Sequence, residues 1–125
     1  MQKTILVVDD SNTNLLKVRE VLHDKYKVVT LSSATKMFSF LAKIKPDLII
    51  LDIEMPDMNG LDAARILKSP SGNNKNKNIP IIFLTATYNA EREKLATTIG
   101  AANFVIKPFT PEILLEKIAN AINNA

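Results

Sequence analysis

The chain has 125 residues, 46% hydrophobic and 23% charged, a size and balance that suit one globular domain and exclude collagen-like, fibrous and disordered chains. It has no cysteine and a single histidine, His23, which excludes disulfide frameworks, thiolate zinc sites and multi-histidine metal sites. Sixteen basic against thirteen acidic residues give a formal charge of +3 and a pI near 9.2. No apolar run approaches the roughly 18 residues that span a bilayer, and Ile5–Val8 is too short for a signal-peptide core. A cytoplasmic protein with no membrane partner is expected.

Short apolar runs alternate with amphipathic stretches along the chain. Ile5-Leu6-Val7-Val8 reads as a buried strand that stops at Asp9-Asp10. From Asn12 to about His23, Leu15, Leu16, Val18, Val21 and Leu22 recur near helical spacing. Val28–Leu31 is a second strand. Ser32 or Ser33 then caps a helix to about Ile44, with Met37, Phe38, Leu41 and Ile44 on its inner face. After Pro46, Asp47–Leu51 forms a third strand that ends at Asp52. Pro56, Asn59 and Gly60 mark a loop, and Leu61–Lys68 carries a short helix. Pro80–Leu84 is a fourth strand ending at Thr85. A helix over Glu91–Ile99 stops at Gly100, and Asn103–Ile106 is a fifth strand ending at Lys107-Pro108. Thr110, Pro111 and Glu112 provide a cap, an N1 proline and a first-turn acid for a last helix to about Asn120.

Five β–α units in sequence, with strands apolar throughout, imply a parallel sheet covered on both faces. Right-handed crossovers divide the helices between two layers, and ligands belong at the carboxyl ends of the strands. There the sequence places Asp9-Asp10, Asp52, Thr85 and Lys107. Carboxylates gathered at one edge repel one another and resist ionisation without a cation. An all-oxygen cluster suits a hard ion, and Mg²⁺ is the natural choice. Lys107 adds a fixed positive charge and Thr85 a hydroxyl. This is equipment for accepting a phosphoryl group onto an aspartate.

The motifs Val7-Val8-Asp9-Asp10, Leu51-Asp52-Ile53-Glu54-Met55-Pro56-Asp57-Met58-Asn59-Gly60, Leu84-Thr85-Ala86, Gly100-Ala101 and Lys107-Pro108-Phe109 occur in this order. Over essentially its whole length, residues 1–125 as a single domain, the chain resembles a response-regulator receiver domain, the CheY-like phosphoacceptor module of two-component phosphorelays. The resemblance implies an α/β fold, a flavodoxin-like doubly wound (βα)5 sandwich with strand order 2-1-3-4-5. It implies that Asp52 is the phosphoacceptor, charged from a phosphohistidine on a histidine kinase or histidine phosphotransfer protein. Asp10 and Asp52 would ligate Mg²⁺ directly, Asp9 through water, and Glu54 by its backbone carbonyl. Lys107 would pair with Asp52 and later hold a phosphoryl oxygen, with Thr85 and the Ala86 backbone N–H on others. The Lys107–Pro108 bond is expected to be cis, which would fix the direction of the lysine side chain.

The resemblance further implies a signalling switch, which catalyses only its own phosphorylation and dephosphorylation. Thr85 would move inward, Phe104 would follow, and the face of the fourth helix, fifth strand and last helix would change for an output domain or downstream partner. The aromatic at Phe104 lacks the hydroxyl of the tyrosine often found there. Glu54 places a further acid beside the site and is expected to alter metal affinity or phosphoryl lifetime. Tyr88, Glu91, Arg92 and Lys94 lie near the switching face, each expected as solvated surface.

Ser69–Asn78 is longer than the roughly 2–6 residues usual for such a connection and reads as a flexible tip. Lys68, Lys75 and Lys77 lie in the acid-free stretch 68–78, and without them the chain holds 13 basic and 13 acidic residues. With no aromatic there for a base to stack on, nucleic-acid binding is not expected. A module excised from a hybrid sensor kinase or multidomain regulator is an alternative. A haloacid-dehalogenase-like phosphohydrolase is a weaker one, because that class wants Asp-x-Asp and Asp52-Ile53-Glu54 has Glu. Nucleotide-binding loops of the G-x-x-x-x-G-K or G-x-G-x-x-G type do not occur among the three glycines.

Overall fold

Strands and helices alternate in the computed structural model, which describes residues 2–69, 75–101 and 103–123. The elements are β1 (Thr4–Val8), α1 (Asn12–Leu22), β2 (Lys27–Leu31), α2 (Ala34–Leu41) and β3 (Leu48–Asp52). They continue as α3 (Gly60–Leu67), β4 (Ile81–Thr85), α4 (Ala90–Ile99), β5 (Asn103–Ile106) and α5 (Pro111–Asn123). All pairings are parallel and the strand order is β2-β1-β3-β4-β5, as the family resemblance implied.

The period-two alternation of side chains sorts each strand between two cores. Leu6, Val8, Ile49, Leu51, Phe83 and Phe104 point to the side covered by α2, α3 and α4, where Met37, Leu41, Leu61, Leu67 and Ala96 pack on them. Ile5, Val7, Leu48, Ile50, Ile82, Leu84 and Val105 point the other way, against Leu15, Val18 and Leu22 of α1 and Leu114 and Ile118 of α5. β3 and β4 are buried along their whole length, whereas the edge strand β2 is only half-buried.

Side-chain oxygens open every helix. Ser11, Ser33, Asn59 and Asn89 accept the backbone N–H of Asn14, Lys36, Leu61 and Arg92, and Thr110 accepts that of Ile113. Each such cap contributes about 1 kcal/mol. α4 closes on Gly100 in the left-handed region, at φ 92°.

Two helix ends differ from the sequence reading. α2 is capped by Ser33, not Ser32, and ends at Leu41, so Ile44 is exposed at 52% instead of facing inward. The chain must leave the helix there to enter β3, where Asp47 N–H donates to Thr4 O and Thr4 N–H to the Asp47 carboxylate. α5 runs on to Asn123. Around the 68–78 stretch, the expected mobile tip includes residues 70–74, which lie outside the described residues. Lys68, read with the basic stretch, is tied to the body of the fold: its Nζ donates to Ile79 O at 2.6 Å, and burial pulls its pKa down. Lys75 Nζ reaches Ala42 O at 3.3 Å.

Gly60 starts α3 against the end of β3, its N–H donating to Ile53 O at 2.7 Å. A Cβ there would stand 2.2 Å from Asp52 O and 2.9 Å from Ile53 Cα, both backbone atoms. Only glycine permits this approach, and the β3 terminus would have to shift for any other residue. Gly60→Ala should therefore cost about 1–3 kcal/mol, seen as a lower denaturation midpoint. An unchanged midpoint would contradict the tight packing at this junction.

Candidate functional site

Strand register brings distant residues to one edge. Val8 is paired with Leu51, so Asp9 and Asp52 follow side by side on the two central strands. Asp52 is paired with Leu84, and Thr85 with Ile106, which brings Lys107 to the same edge. Lys107 is held there by its N–H to Thr85 O at 2.8 Å, and the Lys107–Pro108 peptide is cis. By the alternation of the strands, Asp9, Asp52 and Lys107 continue the parity of Val7, Ile50 and Val105, on the α1/α5 side. Thr85 follows Phe83 and lies on the α3/α4 side.

That parity divides the site into two polar groups. In the first, Lys107 Nζ stands 3.3 Å from Asp9 Oδ2 and 3.3 Å from Asp52 Oδ1. Asp9 and Asp52 are buried, at 1% and 3% exposure, while Asp10 is exposed beside them. Asp9 Oδ1 also accepts the N–H of Ser11 at 2.9 Å. Each of Asp9, Asp10 and Asp52 offers an oxygen within 4.8 Å of the others. Burial, and then the charge of Asp9, push Asp52 up from 3.8 to about 7; Lys107 pulls the other way, and Glu54 adds a smaller upward push.

In the second group the Thr85 hydroxyl, fully buried, turns away from Asp52. It accepts from Arg92 Nη1 at 3.0 Å and from the Thr87 N–H at 3.1 Å, with Thr87 O and the Glu54 carboxylate as acceptors for its proton. Arg92 Nη1 lies 2.6 Å from Glu54 Oε1 and 2.8 Å from Thr87 O. Arg92, expected on the solvated surface, is thus part of the site, with its side chain only 21% exposed. The sequence signal was faint but physical. Arg92 stands in the first turn of α4, the positive end of the helix dipole, where a cation needs an acid from elsewhere.

Phe104 is already interior, at 9% exposure, its ring 5.4 Å from Phe83. Tyr88, expected as plain surface, meets Phe104 edge-on at 5.0 Å while remaining 41% exposed. Ala86 is exposed directly after Thr85. Asp57, in the motif after Asp52, accepts the N–H groups of Ala34 and Thr35 and the Thr35 hydroxyl. These bonds tie the β3–α3 loop to the start of α2, and the bond from the Thr35 N–H above all holds the Asp57 carboxyl below its usual range. His23 lies beside Asp24 on the surface, far from this chemistry in sequence and exposed.

A family model described as the response regulator receiver domain matches residues 5–119. The chain belongs to that family. It is 34% identical to a probable cyclic di-GMP phosphodiesterase of Vibrio cholerae, over 98% of this chain and 27% of that protein. It is 31% identical to the DNA-binding response regulator MtrA of Mycobacterium tuberculosis, over 94% of this chain and 50% of that one. The V. cholerae sensor kinase/phosphatase CqsS is 32% identical, over 94% of this chain and 17% of its own length. The chain thus spans half or less of these curated relatives. Among solved structures, V. cholerae chemotaxis protein CheY4 superimposes with a TM-score of 0.89, at 29% identity over 97% of this chain and 99% of that one. The BeF₃-activated DrrB receiver domain gives 0.84, at 28% identity over 98% and 99%. The protein is a receiver domain of two-component signalling, a class that binds Mg²⁺ at an acidic pocket and interacts with histidine kinases and output domains. Among the described residues no helix is long and apolar enough to cross a membrane.

The raised pKa sets a pH dependence. Between the ordinary carboxyl range near 4 and about 7, folded Asp52 keeps a proton that the unfolded chain has lost. The contribution of this group to stability therefore falls as pH rises through that window. Carboxyl NMR of the metal-free protein should show Asp52 titrating about pH 7, lower in Asp9→Asn and higher in Lys107→Met. A midpoint in the ordinary carboxyl range in the unsubstituted protein would contradict the account.

Proposed function

We propose that Asp52 accepts a phosphoryl group from a phosphohistidine of a kinase or phosphotransfer protein, and that residues 1–125 act as one cytoplasmic receiver domain. The observation that carries this reading is the buried Asp52 carboxylate at the end of a central strand, with Lys107 Nζ 3.3 Å away and two further carboxylates beside it. An Asp52 oxygen attacks phosphorus, the bond from phosphorus to the histidine nitrogen breaks, and its electron pair stays with the imidazole. Lys107 is placed to hold charge developing on a phosphoryl oxygen. Thr85 serves a second oxygen once its hydroxyl turns from Arg92 and Thr87. The small side chain of Ala86 leaves the donor an approach, and its N–H is a further candidate donor.

The donor set fits Mg²⁺. It is all oxygen, and three carboxylates against the one Lys107 ammonium leave a formal excess of two negative charges, which a divalent cation matches. Asp10, Asp52 and the Glu54 carbonyl would hold the ion directly, and Asp9 through water. Bound there, Mg²⁺ supplies charge neutralisation for the transferring phosphoryl oxygens.

Phosphorylation is read at the face of α4, β5 and α5. Since Phe104 is interior and covered by Tyr88, the expected rotamer exchange involves both rings, and the change in exposure falls on Tyr88. An output domain or a downstream protein would sense that face. Incubation with Mg²⁺ and acetyl phosphate should add the mass of one phosphoryl group. Asp52→Asn or a chelator should abolish the adduct. An adduct unaffected by Asp52→Asn, or none under any condition, would overturn the assignment.

A further inference from the structure

The Arg92 guanidinium spans α4 and the β3–α3 loop and touches three oxygens at once: Glu54 Oε1, Thr87 O and Thr85 Oγ1. Its place is against local preference. Asn89 caps α4 by accepting the Arg92 N–H at 2.8 Å, which puts a cation in the first helical turn, where Glu91 and Glu93 suit the dipole and arginine does not. The cost is offset by Glu54, an acid contributed by a loop 38 residues away in sequence. All three contacts are made by one nitrogen, Nη1, so the arrangement rests on where that cationic group is held.

The consequence falls on Thr85. Its hydroxyl accepts two hydrogen bonds, from Arg92 and the Thr87 N–H, and has acceptors for its one proton in Thr87 O and Glu54. A hydroxyl offers one proton and two lone pairs, so this one is saturated on the side away from Asp52. It cannot donate to a group on Asp52 without leaving Thr87 O and Glu54 and disturbing the contact with Arg92.

We propose that Arg92 is a positioning residue for phosphoryl uptake. Its ion pair with Glu54 latches Thr85 in the unphosphorylated arrangement, and opening of that pair accompanies phosphorylation of Asp52. The latch rests on the phosphoacceptor reading above. It makes the strength of the Glu54–Arg92 pair a determinant of how readily the domain activates. The pair is partly exposed, so its contribution is modest and screened by salt.

The test is a double-mutant cycle on the whole chain, with beryllofluoride and Mg²⁺ as the probe followed by NMR, and with the rate of phosphorylation by acetyl phosphate as a second readout. Arg92→Ala should bind beryllofluoride about two- to fivefold more tightly and phosphorylate faster, the size expected of a partly exposed ion pair. Arg92→Lys should fall between it and the unsubstituted protein. Glu54→Gln combined with Arg92→Ala should tighten the probe by less than the two single changes added as free energies, because both remove one interaction. A merely structural Arg92 would lower thermal stability without tightening the probe. Unchanged or weaker binding in Arg92→Ala, or strict additivity, overturns the latch while leaving the phosphoacceptor reading standing. Absence of beryllofluoride binding and of any adduct in the unsubstituted protein overturns both. Should Arg92→Ala not fold, Arg92→Gln takes its place in the same cycle, judged by the same signs.

Discussion

The ammonium of Lys107 stands at equal distance from two buried carboxylates, Asp9 and Asp52, and much of the architecture follows from keeping it there. Two opposite unit charges at 4 Å attract by about 4 kcal/mol in surroundings of effective dielectric near 20, whereas withdrawing an ion from water costs several kcal/mol. One cation therefore cannot carry two buried anions, with Asp10 a third beside them. The imbalance appears as the raised pKa of Asp52, for which burial is the largest cause and Asp9 the second. The protein holds an excess of negative groups at the carboxyl ends of its central strands, set in close packing: β3 and β4 are buried throughout, and Gly60 brings α3 against the Asp52 backbone.

The pleat then decides which residues can cooperate. Asp9, Asp52 and Lys107 share one parity, and Thr85 has the other. The site is consequently split between a carboxylate–lysine group and a threonine–arginine–glutamate group, each with its own cation. Lys107 balances the acids on the α1/α5 side, while Arg92 balances Glu54 on the α3/α4 side. A phosphoryl group on Asp52 would compete for Thr85 across that divide. On the proposed reading the switch is a change of hydrogen-bond partners at one hydroxyl, coupled by Arg92 to the first turn of α4 and flanked by the contacting rings of Tyr88, Phe104 and Phe83.

The sheet was legible because its strands are short β-branched runs ending abruptly in polar residues. The same abrupt ends exposed the site, since Asp9, Asp52 and Lys107 stand where apolar sequence stops. Their order across the sheet was not readable from periodicity and came from the family resemblance. The end of α2 was misjudged because Ile44 keeps the helical period although the chain has already turned toward β3. Arg92 was passed over because a charged residue on an amphipathic helix is usually solvated, and its partner Glu54 is remote in sequence. The burial of Phe104 depends on Tyr88 and Phe83 around it, a tertiary fact that a single aromatic in a strand pattern cannot report. Lys68 looked like part of a basic loop because its anchor, Ile79 O, is a backbone atom with no sequence signature.

Relatives in which this chain corresponds to half or less of the length include a probable phosphodiesterase, a DNA-binding regulator and a sensor kinase, so a similar stretch occurs in proteins of different kinds. In this chain the strand edge is lined by Asp9, Asp10 and Asp52, and the identity of the acid that takes the phosphoryl group is the central claim. Borohydride reduction of the phosphorylated protein, followed by peptide mapping, reads that identity directly, because only an acyl phosphate is reduced to an alcohol. The account predicts the reduced side chain at Asp52 alone. Reduction at Asp9, Asp10 or Glu54 instead would contradict it.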